Sequence, residues 1–171
     1  YTRVDQQKGA VFSSGFDYPG RHSRWDIGFI DPAIEFQSRA RSFEFLALNA
    51  KGAVLLAEIH HVLSKHPHVQ SIANDGRRVG GELAPAAEMF TEEERSRQPS
   101  VFSILRAVVE LFYTDHPAAD HLGLYGAFGY DLVLQFEELK LKHARSSETV
   151  DCHLFLPLEL VVVDRKREVA L

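Results

Sequence analysis

The chain has 171 residues, 45% of them hydrophobic and 25% charged, the proportions of an ordinary globular domain with a core of useful size, which excludes disordered and fibrous classes. The formal charge of −5 and the scatter of the basic residues exclude the electrostatic footprint of a nucleic-acid binder. No apolar run approaches the ~20 residues of a membrane helix and no basic–apolar leader pattern is visible. The single cysteine, Cys152, cannot make an internal disulfide, so a soluble domain in a reducing cytoplasm is expected, with no membrane partner.

In chain order, Gly9–Ser13 is short, apolar and bounded by glycine, as a strand entering a loop should be. The loop Ser14–Ser23 carries the turn residues Gly15, Pro19 and Gly20. Trp25–Ile30 is aromatic and β-branched, and Asp31-Pro32 breaks it. Ile34–Gln37 and Phe43–Leu48 alternate apolar and polar residues, as half-buried antiparallel strands do. Asn49-Ala50-Lys51-Gly52 reads as a turn, with Ala53–Leu56 returning as a strand. The spacing then becomes helical at Leu55, Leu56, Ile59, Val62 and Leu63, and Pro67 ends that helix. His68–Ala73 and Arg78–Leu83 form a strand pair across Asn74-Asp75-Gly76. Thr91-Glu92-Glu93-Glu94 has the pattern of a capping box.

The clearest element is a helix from about Val101 to Tyr113. Its residues Val101, Ile104, Leu105, Val108, Val109 and Phe112 share one face, and Ser100 sits at the cap. After Asp115-His116-Pro117 come a strand over Leu122–Phe128, a helix from about Tyr130 to Leu141, a polar loop at Arg145–Thr149 and a strand through Cys152. The chain closes with a hairpin from Leu158–Val163 back through Val169-Ala170-Leu171. Strands dominate and three helices are interspersed without βαβ alternation, so the expected class is α+β with mainly antiparallel sheet layers. A return strand that stops after three residues, and a first residue that is Tyr1 rather than Met, lead us to expect a piece of a longer protein; a short native hairpin is the alternative.

Catalytic patterns are sparse. Gly123, Gly126 and Gly129 do not have the spacing of a dinucleotide or P-loop fingerprint, and they suit a bent strand with a close neighbour. Nine histidines are many, but His60 and His61 point about 100° apart on a helix and lack nearby acidic or thiol partners, so no metal site is expected. There is no Gly-x-Ser-x-Gly elbow. Cys152 and His153 are neighbours on a strand and face opposite sides, so they cannot pair as nucleophile and base. Glu92-Glu93-Glu94 suits a first helical turn. No catalytic residue is assigned. One polar stretch, Phe12 to Asp26, combines small hydroxyls, aromatics and arginines. It could hold a small zwitterion, with hydroxyl and backbone groups on its ammonium and a guanidinium on its carboxylate; an ordinary loop beside a capped strand end is the plainer account.

At that stretch, Gly9-Ala10-Val11-Phe12-Ser13-Ser14-Gly15-Phe16-Asp17-Tyr18-Pro19-Gly20-Arg21 followed by Arg24-Trp25-Asp26-Ile27-Gly28-Phe29 resembles the N-terminal region of anthranilate synthase component I. The likeness is greatest to the fused type that carries synthase and glutamine amidotransferase parts in one chain. Ala47–Gly52, Leu124–Glu137 and Leu154–Glu159 running to Val162-Val163-Asp164 agree in order and spacing, so the resemblance spans essentially the whole of residues 1–171 as one N-terminal, regulatory and structural domain.

The resemblance implies an α+β domain of an enzyme that aminates chorismate with glutamine-derived ammonia and releases pyruvate to give anthranilate, in tryptophan biosynthesis. It implies Mg²⁺ for the full-length enzyme and no cofactor in this portion. Its implied partners are a C-terminal chorismate-binding domain, a glutamine amidotransferase domain or subunit, and L-tryptophan as inhibitor, with a homodimer left open. The family's tryptophan pocket carries Leu-Leu-Glu-Ser with a basic residue ten positions after the serine. Val11-Phe12-Ser13-Ser14 matches that segment, Ser13 standing where Glu is usual, and Arg24 stands where Lys is usual. Ser13, Ser14 and Arg24 are therefore the implied tryptophan-site residues. The corresponding part of a para-aminobenzoate synthase and a stand-alone amino-acid-binding module are the alternatives.

Overall fold

The computed structural model describes residues 4–13, 24–86, 91, 98–116, 119–137, 139–146 and 148–170. Ser14, the rest of the loop 14–23, and Glu92–Glu94 of the capping pattern lie outside the described residues.

Two antiparallel sheets and the helices beside them give the expected α+β class. The smaller sheet has the order β1 (Gly9–Ser13), β2 (Trp25–Ile30), β9 (Val161–Asp164), β10 (Val169–Ala170). The larger has the order β5 (Val69–Asn74), β6 (Arg78–Leu83), β4 (Ser42–Ala47), β3 (Ile34–Arg39), β8 (Cys152–Leu156), β7 (Tyr125–Phe128). Alternation divides the larger sheet into two faces. Ile34, Phe36, Phe43, Phe45, Val79, Leu83, Cys152 and Leu154 are buried in the main core. Helix α1 (Ala50–Leu63) adds Leu56, Ile59 and Leu63 to that core, and α2 (Val101–Leu111) adds Val101, Ile104, Leu105 and Val108. The opposite face meets the smaller sheet through rings, with Phe29 5.9 Å from Phe155 and 6.1 Å from Tyr125, and Phe12 6.0 Å from Tyr125. Among the described residues no helix is long and apolar enough to cross a membrane.

Two expected elements change. Asn49–Gly52 is not a turn followed by a strand: Asn49 is the N-cap of α1, its side-chain oxygen accepting the Gly52 N–H at 3.0 Å, and the helix runs from Ala50. Gly52 is there because a methyl group on it would run into the Ala33 carbonyl oxygen and lie 2.9 Å from the Ala33 carbonyl carbon. The expected helix from Tyr130 to Leu141 is a single 3-10 segment, Tyr130–Gln135. Its Gln135 side chain accepts from Val101 N–H at 3.0 Å and donates to the Ala40 carbonyl at 2.8 Å. Those bonds anchor the segment to the start of α2 and to the β3–β4 turn, where an amide matters more than continued helix. The α2 start is further held by Ser100 N–H donating to Ser103 Oγ at 3.2 Å.

Cys152 is buried, and burial first and the adjacent Asp151 charge second push its thiol up to about 12. Native protein at pH 8 is expected to hold on the order of a thousandfold less thiolate than a free cysteine. Iodoacetamide labelling followed by mass spectrometry should therefore be slow until denaturant is added; rapid labelling of the folded chain would contradict this burial.

Candidate functional site

The β1–β2 hairpin brings the sequence-derived residues Ser13 and Arg24 to the same end of the smaller sheet. Ser13 pairs with Asp26, and Trp25 pairs with Asp164 of β9. Arg24 is held firmly. Its Nη2 donates to Asp164 Oδ2 at 2.8 Å, and its Nε lies 3.2 and 3.3 Å from the two carboxylate oxygens. The guanidinium also stacks over the Trp25 ring, 4.3 Å from its centroid, and that indole meets His121 edge-on at 5.0 Å. Stacking and a forked ion pair together fix the plane of the arginine.

Asp164 is 2% exposed. The Arg24 hydrogen bonds hold its carboxyl below the usual range against the opposing effect of burial, and the Arg167 and Lys166 backbone N–H groups assist. The other half of the rim is Arg165. Its Nε donates to Asp26 Oδ2 at 2.7 Å, and its Nη2 donates to Asp26 Oδ1 at 3.0 Å and to Ser13 Oγ at 3.2 Å. Its backbone N–H donates to the Arg24 carbonyl at 2.8 Å. Among the described residues the Ser13 and Arg24 side chains are not hydrogen-bonded to each other; Arg165 links their two ends of the loop. Among the described residues, the guanidiniums of Arg24, Arg165 and Arg167 face the Asp26 and Asp164 carboxylates here.

Sequence reasoning included Asp26 in the polar stretch but did not find Asp164, Arg165 or His121 as parts of this rim. The Arg24–Asp164 pair spans 140 residues, and nothing local marks it; only the resemblance block ending at Asp164 touches that position.

A largely apolar cavity of about 610 Å³ lies beside the α2 C-terminus, lined in part by Val108, Phe112, Leu122, Leu124 and Leu156. Nearby glycines behave structurally: a methyl on Gly126 would meet the His153 backbone of β8 and lie 2.8 Å from Leu154 Cα. Among the described residues no group of three or more His, Cys, Asp or Glu side chains gathers as a metal would require. His60 and His61 lie in the last turn of α1, His61 Nε2 being 2.8 Å from Lys65 Nζ. Cys152 and His153 do face opposite sides, the thiol in the core and the imidazole on Glu35.

Glu35 forms a second polar cluster, between the sheets. It is 6% exposed, accepts from Lys8 Nζ and from Gln37 Nε2 at 3.0 Å, and lies 2.7 Å from His153 Nε2. Burial raises its pKa, but the Lys8, His153 and Gln37 hydrogen bonds more than offset that and hold the carboxyl below its ordinary value. The unfolded chain then takes up the proton first as pH falls, so this contribution is complete above the ordinary value of about 4.3 and is lost through the lowered native one. Glu35→Gln is expected to flatten the fall in urea stability between roughly pH 5 and 3; an acid limb as steep as the parent's would contradict it.

Fold and rim together define a two-sheet α+β domain whose candidate site is a charged hairpin end rather than a nucleophile or metal cluster. No family model matches the chain. In sequence it is similar to the anthranilate synthase of Azospirillum brasilense, 42% identical over 161 residues, which are 94% of this chain and 22% of that protein. It is also similar to anthranilate synthase component 1 of Serratia marcescens, 31% identical over 81% of this chain and 26% of that protein, and to that of Vibrio cholerae serotype O1, 29% identical over the same shares. The similarity runs over most of this chain's length, and the chain spans only about a quarter of the length of those curated relatives.

Proposed function

We propose that residues 1–171 are the N-terminal regulatory and structural portion of an anthranilate synthase, part of tryptophan biosynthesis. The observation that carries this is the 42% identity over 94% of the chain against only 22% of the relative. In this reading chorismate and glutamine-derived ammonia become anthranilate and pyruvate at a centre formed by polypeptide outside these residues, with a glutamine amidotransferase part supplying the ammonia. The described residues gather no ligand set for a metal ion, and in this reading the Mg²⁺ that the resemblance implies belongs to the full-length enzyme.

The contribution of this portion is control. Tryptophan would bind at the β1–β2 hairpin end, its ammonium taken by Ser14 and neighbouring carbonyls and its carboxylate by the cationic side of the rim at Arg24, with Ser13 alongside. Supporting this is the forked, stacked hold on Arg24. Tryptophan that binds a closed-off state of the two-domain enzyme more tightly than the open one lowers activity by shifting the population. The test is tryptophan inhibition of the full-length synthase carrying Ser14→Phe, which should lose sensitivity; normal sensitivity would overturn the assignment of Ser14. A para-aminobenzoate product from the full chain would move the protein to that related activity.

A further inference from the structure

The hairpin end contains two residues that neither the sequence nor the relatives single out. Asp164 ends β9 and Arg165 begins the turn to β10. One is nearly buried, and the other reaches back over the β1–β2 ladder. Each is bonded to one of the two described residues of the proposed tryptophan site: Asp164 to the Arg24 guanidinium and Arg165 to Ser13 Oγ.

Asp164 takes the Nε and Nη2 side of Arg24. Trp25 covers one face of the guanidinium, and the indole is itself braced by His121. An arginine free to rotate loses several rotamers when it grips a ligand; one already clamped along one edge and one face loses few. The edge left for a ligand is Nη1, which makes no hydrogen bond among the described residues. A planar donor with one edge occupied and the other presented is suited to a carboxylate. On the other side, Arg165 fixes the Ser13 hydroxyl against Asp26 while its backbone N–H holds the Arg24 carbonyl. One residue therefore sets the spacing between the two ends of the loop.

We infer that Asp164 and Arg165, on the β9–β10 turn, are the positioning residues of the amino-acid site: Asp164 aims Arg24 at the ligand carboxylate and Arg165 sets Ser13. The inference rests on the reading of this hairpin end as the tryptophan site. The turn thereby couples the last strands of this chain to feedback control, although neither residue touches the ligand itself.

The experiment is a double-mutant cycle in the full-length synthase, reading the tryptophan concentration for half-inhibition, with chorismate KM, kcat and melting temperature measured alongside. Arg24→Gln is expected to raise that concentration about tenfold or more, the size of a lost charge-assisted hydrogen bond. Asp164→Asn should raise it about as much, and the double variant should be no worse than Arg24→Gln alone, because Asp164 acts only through Arg24. Independent effects that multiply, or an unchanged Asp164→Asn, would overturn the positioning role while leaving the site in place. An Arg24→Gln enzyme with unchanged inhibition would overturn the site itself, and with it the inference. Asp164 also accepts backbone bonds, so the exposed Arg165→Gln provides a second arm that does not depend on a buried group. It should raise the half-inhibiting concentration about threefold without lowering the melting temperature; no change there would overturn the role of Arg165.

Discussion

Gly52→Ala is expected to lower stability by about 3 kcal/mol, a fall of roughly 6–12 °C in melting temperature for a domain of this size. In a free helix the same change would stabilise by about 1 kcal/mol, because alanine is the better helix former. The sign reverses because the first turn of α1 is seated directly on the chain at Ala33, whose carbonyl already accepts from Leu48 N–H at 2.9 Å and whose own N–H donates to Leu156 at 2.9 Å. The added methyl has the Ala33 carbonyl on one side and Ala47 Cα 3.4 Å away on another. To admit it, α1 must lift, and Leu56, Ile59 and Leu63 lift with it from the face of β4, β5 and β6. Thermal and urea melts of the 171-residue chain measure the effect; an unchanged or raised midpoint would contradict this seating of α1.

Removal of the Asp151 carboxylate should be at least as damaging. Asp151 is 1% exposed. Its side chain accepts the Ala40 N–H at 2.6 Å and pairs with Arg145 Nη2, while its backbone N–H donates to Ser38 at 2.8 Å and its carbonyl accepts from Gly129 at 2.6 Å. It thus joins the β3–β4 turn, the start of β8 and the loop after β7. Ala40 holds a left-handed φ of 49°, a conformation that costs an alanine roughly 1–2 kcal/mol and that the Asp151 bond helps to hold. Arg145 Nε also lies 2.9 Å from Asp131 Oδ2, within ion-pair reach but off the line of a hydrogen bond. Asp131 alone therefore cannot replace Asp151. Asp151→Ala is expected to cost about 3–5 kcal/mol, the usual penalty for stripping one partner from a buried pair. Asp151→Asn, which keeps an acceptor for Ala40, should cost less. Equal, small effects of the two in denaturant titrations would contradict a buried structural ion pair.

Much of the fold could be read from the residues alone. The period-two runs Ile34–Gln37 and Phe43–Leu48 became β3 and β4, the Asn74-Asp75-Gly76 turn joins β5 to β6 with Gly76 at φ 85°, and the one-sided apolar face from Val101 became α2. These succeed because burial of a single face writes itself into local spacing. Gly52 failed for a physical reason: a glycine used for close approach looks the same in sequence as one used for a turn. The stretch after Tyr130 failed because Gln135 is spent on bonds to Val101 and Ala40, distant residues that no window of sequence brings together. The site was legible only in part. Ser13 and Arg24 flank a recognisable loop, but the groups that orient them, Asp164 and Arg165, come from strand order, in which β9 pairs with β2 across the length of the chain.

In the proposed reading this chain supplies control to a synthase whose chemistry is performed by other polypeptide. The most direct measurement is the fluorescent product formed from chorismate and glutamine by the full-length protein, with and without tryptophan, beside the same assay on residues 1–171 alone. The expected result is anthranilate from the full-length protein, suppressed by tryptophan, and none from the 171-residue chain. Turnover of chorismate by the isolated chain, or anthranilate formation by the full-length protein that tryptophan leaves untouched, would contradict it.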